Sequence, residues 1–189
     1  QLDSAAGVTE HDWLQALPGG KRLLVQLWHN SIADAELGVL DLATGVATPI
    51  IQGLYGRYIP TGHIVYATST GSLMRVPFDP AKSKITGAPL AIVEQIQVDA
   101  GSGSAQFSVS DNGTLAYMSG GGAGSARVVW VDRTGKQTPV DSAWRGQFSY
   151  VALSPDNSQL AIAVLGSEGE QIWVKRLPSD YFREHIRIG

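Results

Sequence analysis

Four turn signals recur along the chain, each followed by a short apolar run. They are Pro18-Gly19-Gly20 before Arg22-Leu23-Leu24-Val25, and Pro60-Thr61-Gly62 before Ile64-Val65-Tyr66-Ala67. Further on come Ser110-Asp111-Asn112-Gly113 before Leu115-Ala116-Tyr117, and Ser154-Pro155-Asp156-Asn157 before Leu160-Ala161-Ile162-Ala163-Val164. Aligned on Gly20, Gly62, Gly113 and Asn157, the units step by 42, 51 and 44 residues. A piece this short cannot bury its own apolar face and must stack on its neighbours. Four-stranded propeller blades repeat at roughly 40–50 residues.

A second landmark follows in each unit, a strand-like run ending in a turn. The four runs are Leu37 to Leu42 before Thr44-Gly45, Ser72 to Phe78 before Asp79-Pro80, Val128 to Asp132 before Thr134-Gly135, and Ile172 to Leu177 before Pro178-Ser179. Several alternate apolar and polar residues, as half-buried strands do. Gly and Asn in the turns accept the positive φ that tight hairpins need, and Pro fixes φ just before them. Asp12 to Leu17 could open a helix, but Pro18-Gly19-Gly20 stops it too soon, so it reads as the first strand of the first unit. The expected fold is all-β: one propeller segment over residues 1–189 with four four-stranded blades, at about 10–53, 54–99, 104–140 and 146–188. Ala100 to Ser104 and Gly120 to Ser125 read as flexible, glycine-rich loops, the second between the second and third strands of blade three.

Composition agrees. Charged residues make up 16% against about 25% in an ordinary soluble domain, while 22 Gly and 9 Pro supply turns. Net charge is −3 with Lys and Arg scattered, so neither a nucleic-acid footprint nor a polybasic membrane patch is expected. Cysteine is absent, which excludes disulfides, thiolate metal sites and Cys nucleophiles. No 18-residue apolar run exists to form a membrane-spanning helix. The opening Gln1-Leu2-Asp3-Ser4 lacks the basic start and apolar stretch of a signal peptide, and with no initiator Met it reads as a mature or excised segment.

No motif names a reaction. His11, His29, His63 and His185 fit no metal-ligand spacing; His63 and His29 read as surface residues beside a turn and at a strand end. No G-x-S-x-G elbow occurs, and the Gly120–Ser125 loop lacks the GxxxxGK[ST] phosphate cradle. Asp111 and Asp156 read as turn residues that cap their own backbone. Glu94, Asp99 and Asp132 are carboxylates that nothing in the sequence brings together. Trp130 and Trp173 hold equivalent third-strand positions, as expected of packing between blades. Trp144 and Arg145, in the linker entering blade four, form the candidate protein contact, weighed against simple packing of the Trp. No cofactor is expected.

Six stretches together resemble a known family. They are His11 to Lys21, Gly56 to Tyr66, Leu73 to Asp79, Phe107 to Leu115, Val129 to Lys136 and Leu153 to Asp156. They resemble the TolB-like (WD40-like, PD40) β-propeller repeats of the C-terminal, sensor-like region of bacterial membrane-associated Ser/Thr kinases. The resemblance covers about residues 10–177 and implies an extracytoplasmic or periplasmic setting; without it a cytoplasmic one is equally compatible. It also implies a longer ring, commonly of six or more blades, whereas four are present. After Pro178 the tail departs from the family pattern and resembles a truncated or recombined end. The HRD and DFG motifs of the kinase domain are absent.

The function expected is a non-catalytic binding or assembly module. The alternative is a propeller-type hydrolase or lyase with a central-channel site. An arc of four blades leaves end faces to cover. The four blades could close into a small ring, two chains could pair as the halves of an eight-bladed ring, or a longer parent chain or a protein partner could supply the missing blades; a homodimer completing the ring is the reading carried forward.

Overall fold

A computed structural model describes residues 7–119, 128–131, 136–142, 144, 147–166, 169–177 and 183–186. Every regular element among them is a strand. The strands form four antiparallel sheets, each built from consecutive segments of the chain, and these are the four expected blades. The chain divides into two compact units, Gln1–Glu94 with Val98–Ala105 and Gln95–Gln97 with Gln106–Gly189.

In the first unit, blade one is β1 (Glu10–Ala16), β2 (Arg22–Trp28), β3 (Glu36–Asp41) and β4 (Ala47–Gln52), paired in that order. Blade two is β5 (Leu54–Ile59), β6 (His63–Ala67), β7 (Leu73–Asp79), β8 (Lys84–Ile85) and β9 (Leu90–Val93). Its outermost position is shared: β8 pairs the end of β7 at Phe78 and Asp79, and β9 pairs its start at Leu73 to Arg75. Leu17, Leu24, Leu37 and Val39 of blade one pack on Ile64, Tyr66, Val76 and Phe78 of blade two.

In the second unit, blade three is β10 (Phe107–Val109), β11 (Leu115–Met118), β12 (Val128–Val131) and β13 (Gln137–Pro139). Blade four is β14 (Gln147–Leu153), β15 (Gln159–Gly166), β16 (Gly169–Arg176) and β17 (Arg183–Ile186). Ala116, Met118 and Val128 of blade three pack on Phe148, Val151, Leu153, Leu160, Ile162 and Val164 of blade four. Trp130 and Trp173 flank this core from the third strands of their blades, as expected of packing residues.

The repeat landmarks share one geometry. Gly20, Gly62, Gly113 and Asn157 have φ of 65°, 81°, 86° and 60°. Each N–H donates to the carbonyl three residues back, at Leu17, Ile59, Ser110 and Ser154 respectively, at 2.9–3.0 Å. A residue in the left-handed region closing an i to i+3 bond is the physical reason that Gly or Asn recurs there. The third turn corrects one expectation. Asn112, not Asp111, caps it: Asn112 Oδ1 accepts from Thr114 N at 3.1 Å and from Ser110 Oγ at 2.8 Å. Asp156 does cap its turn, accepting from Ser158 N at 3.0 Å.

Candidate functional site

The first strands of blades one and two each carry an irregularity at the same place. On β1, Trp13 and Leu14 stand opposite the single residue Val25, between the pairs Asp12–Gln26 and Gln15–Leu24. On β5, Tyr55 and Gly56 stand opposite Tyr66, between Leu54–Ala67 and Arg57–Val65. Such two-against-one bulges bend a strand and re-aim a side chain. Trp13 and Tyr55 both lie in the left-handed region, at φ 52° and 47°. An aromatic residue held there is strained by on the order of 1–2 kcal/mol, and it persists only where its surroundings over-determine it.

Those surroundings are specific. The Trp13 and Tyr55 rings meet edge to face, with centroids 5.1 Å apart. The Arg57 guanidinium lies over the Tyr55 ring, 4.2 Å from its centroid. Arg57 Nη1 donates to the carbonyls of Trp13 at 3.2 Å and Gly56 at 3.1 Å. Beneath them sits Gln26, fully buried. Its Oε1 accepts from Tyr55 N at 2.9 Å, and its Nε2 donates to Ser102 O at 3.4 Å. Trp13 Nε1 donates to the same Ser102 carbonyl at 3.1 Å.

Ser102 belongs to the glycine-rich stretch expected to be flexible, and here the structure corrects the sequence reading. Asp99 Oδ1 accepts from Gly101 N at 3.1 Å, Ser102 N at 2.8 Å and Ser102 Oγ at 2.8 Å, which ties the loop into a turn. These bonds, the Ser102 hydroxyl first, hold the Asp99 carboxyl below the usual carboxylate range. Gly103 is needed at φ 65°, where a Cβ would lie 2.7 Å from Gln26 Nε2. The loop is thus pinned to blade one.

The neighbouring positions show a repeated device. Five residues before each turn landmark, Gln15 of blade one and Ser108 of blade three reach the first strand of the next blade in their unit. Gln15 bonds both backbone groups of Tyr58, at 3.0 and 2.7 Å, and Ser108 Oγ accepts from Leu153 N at 2.7 Å. Arg57 occupies this position in blade two, where it lies over Tyr55 and bonds the Trp13 carbonyl of blade one.

The residues singled out in the sequence fall elsewhere. Trp144, expected as half of an exposed contact, is 2% exposed and packs in the core of the second unit. Its ring meets Trp173 edge to face at 6.3 Å, and Lys175 Nζ lies 5.6 Å from its centroid. Lys175 is itself buried and paired with Asp141 at 3.3 Å. The Trp144 side chain therefore belongs to packing and offers no contact surface; Arg145 lies outside the described residues, as do Asp132 and the Gly120–Ser125 loop. His29, expected at the surface, has a side chain only 17% exposed with Nε2 3.3 Å from Glu36 Oε2. His63 is half-buried, its Nδ1 3.1 Å from the Thr61 carbonyl. His11 is half-buried and its pKa is lowered, burial being the main cause. His185 lies in β17. Among the described residues no three His, Asp or Glu side chains gather as a metal site would require.

Blade four presents a second feature. Tyr150, Ala152, Ala161, Ala163, Leu165 and Ile172 occupy the face opposite its core. Tyr150 is 56% and Leu165 55% exposed. The three alanines leave a hollow of about 440 Å³ beside the taller Tyr150, Glu170 and Ile172. Tyr150 stands seven residues before Asn157, as Trp13 stands before Gly20 and Tyr55 before Gly62. In blade three Gln106 holds this place, so the aromatic recurs in three of the four units.

No protein-family model matches the chain, and no curated protein matches it in sequence. Solved structures do. TolB from Acinetobacter baumannii superposes with a TM-score of 0.66 at 17% identity, over 90% of this chain and 41% of TolB. A puromycin-hydrolysing peptidase from Mycobacterium tuberculosis gives 0.68 at 13% identity, over 95% of this chain and 29% of the peptidase. The β-propeller domain of the trilobed protease from Pyrococcus furiosus, of open velcro topology, gives 0.57 at 8% identity, over 95% and 71%. The fold is therefore a TolB-like β-propeller fold, and the chain spans less than half of the first two proteins it resembles.

Proposed function

We propose that this chain is a non-catalytic binding and assembly module of the sensor type that the kinase-linked resemblance implies. In this reading the uncovered face of blade four takes the same face of a second copy. TolB and a peptidase have similar blades, so the reading rests on side chains rather than on architecture.

One observation carries it: a single face holds both the protruding Tyr150 and the alanine-lined hollow. A two-fold axis brings the same patch of two molecules together and seats each protrusion in the other's hollow. The chemistry matches faces already covered within the chain. Ala116 of blade three, small and fully buried, lies under the large apolar residues of blade four. Trp13 is met by Tyr55 of the next blade, whereas its counterpart Tyr150 stands exposed.

Light scattering coupled to size exclusion tests this directly. The expected mass is about twice 20.1 kDa. Ala152→Glu, at an exposed position of the face, should return the mass to one chain while leaving the far-ultraviolet circular dichroism unchanged. A wild-type chain that stays at the mass of one chain through the micromolar range sinks the pairing.

A further inference from the structure

We propose that the Trp13–Tyr55–Arg57 cluster is a peptide-binding site that takes a carboxylate on Arg57, from an acidic side chain or a C-terminus. The inference goes beyond the pairing of blade four and does not depend on it.

Charge comes first. Arg57 is half-buried, and among the described residues it is the one partly buried or buried Lys or Arg with no carboxylate within salt-bridge distance. Arg22 has Asp41 at 3.6 Å and the buried Lys175 has Asp141 at 3.3 Å. Lys21, Arg75 and Lys84, which also lack such a partner, are exposed. A cation drawn partly out of water without a counter-ion is a standing cost that an arriving anion relieves.

Geometry selects the anion. Stacking on Tyr55 and the two bonds from Nη1 fix the guanidinium plane. The opposite edge, Nε with Nη2, makes no hydrogen bond among the described residues. Two parallel N–H groups in one plane match the two oxygens of a carboxylate. A dianionic phosphate suits the place less well, because Glu10 and Asp12 lie on the same strand as Trp13 and the chain carries −3 overall. Beside Trp13, Leu14 is 53% exposed, so the group bearing the carboxylate finds apolar surface.

The construction argues for use rather than accident. Two aromatic residues are held in strained backbone conformations at equivalent repeat positions, over a fully buried glutamine and a pinned loop. Arg57 stands at the repeat position of Gln15 and Ser108, where its guanidinium stacks on Tyr55 and its Nη1 bonds the Trp13 carbonyl of blade one. Strained backbone and a half-buried guanidinium whose Nε–Nη2 edge makes no hydrogen bond among the described residues coincide at one spot.

The test is a nuclear magnetic resonance titration following the Arg57 Nε–H and Trp13 Nε1–H signals. The probes are N-acetyl-glutamic acid α-amide for a side-chain carboxylate, N-acetyl-phenylalanine for a terminal one, and inorganic phosphate. The expected result is a saturable shift of both signals with at least one carboxylate by roughly 20 mM, and none with phosphate. Which carboxylate binds identifies the source. Arg57→Lys keeps the charge but loses the fork and should weaken binding about tenfold. Arg57→Gln should abolish it, while Arg75→Gln, at an exposed position of β7, leaves it unchanged. Absence of a saturable shift with either carboxylate overturns the proposal. So does phosphate binding of equal strength, or undiminished binding in Arg57→Lys, which decides the matter even if the Gln variant fails to fold. None of these outcomes bears on the mass of the protein, so this site and the pairing of blade four stand or fall separately.

Discussion

Gln26 is the residue on which the first unit's special backbone depends. It is fully buried, and its amide serves two backbone groups that the bulge and the loop leave without ladder partners, Tyr55 N and Ser102 O. Gln26→Leu keeps the volume but leaves the Tyr55 N–H without its side-chain acceptor, while Ser102 O keeps its bond from Trp13 Nε1. A buried orphan group costs about 1–3 kcal/mol, so urea unfolding should show a loss of that size. An effect below about 0.5 kcal/mol would mean that water replaces the amide. At this scale the sequence was only partly legible. The aromatic seven residues before three of the four landmarks, with Gln106 in that place in blade three, could be read from alignment of the turns. The bulge that re-aims it could not, because it is defined by the partner strand, where Val25 faces two residues. Trp144 shows the same limit. Its neighbours in sequence suggest a linker, while Trp173 and Lys175, about thirty residues on, place it in a core.

The turns are the elements that make the repeat, and four of them are held by ionised aspartates. The Asp156 carboxyl is pulled down to about 2, chiefly by the Ser154 hydroxyl, then by the N–H and hydroxyl of Ser158. Asp41 is lowered by the N–H groups of Thr44 and Ala43, and Asp79 chiefly by that of Lys82. Asp99 is lowered first by the Ser102 hydroxyl. A carboxyl whose folded pKa lies below its unfolded value stabilises the fold above the unfolded pKa. That contribution is lost as pH falls toward the folded value. The urea midpoint should therefore hold from neutral pH to about 4 and then fall continuously toward about 2. Asp12, raised mainly by burial, acts in the opposite sense and only blunts the slope. Asp156→Asn should lower the midpoint at neutral pH and flatten its descent between about pH 4 and 2. An unchanged descent would show that this turn is not held by charge. The existence and placing of these turns were legible because Gly, Asn and Asp carry their own backbone preferences. The Asn112-for-Asp111 exchange was not, since both residues suit a turn and only the hydrogen bonds choose between them.

For the whole molecule, stacking is the physical problem that the repeat poses, and it explains why the fold was so legible. Each blade is amphipathic on its own strands, so period and pattern together name the architecture. They do not say what lies against the last blade, because a covered face and an uncovered one are written in the same apolar residues. Blade four makes this concrete: Leu160 and Val164 face a core, while Ala161, Ala163 and Leu165, alternating with them on one strand, line or flank an open hollow. If a second copy fills that hollow, folding is linked to association, and the unfolding temperature depends on protein concentration. A tenfold rise in concentration then contributes on the order of 1.4 kcal/mol per dimer, about 0.7 kcal/mol per chain, which for a chain of this size is about 1–3 °C. Differential scanning fluorimetry from roughly 1 to 100 μM should thus show the midpoint climbing in the wild type. It should show no climb in Ala152→Glu, whose midpoint at the lowest concentration should nearly match the wild type, because Ala152 is exposed within one chain. A flat wild-type series, or an equal climb in the variant, would assign the hollow to some other occupant and leave the carboxylate site of blades one and two as the binding surface of this chain.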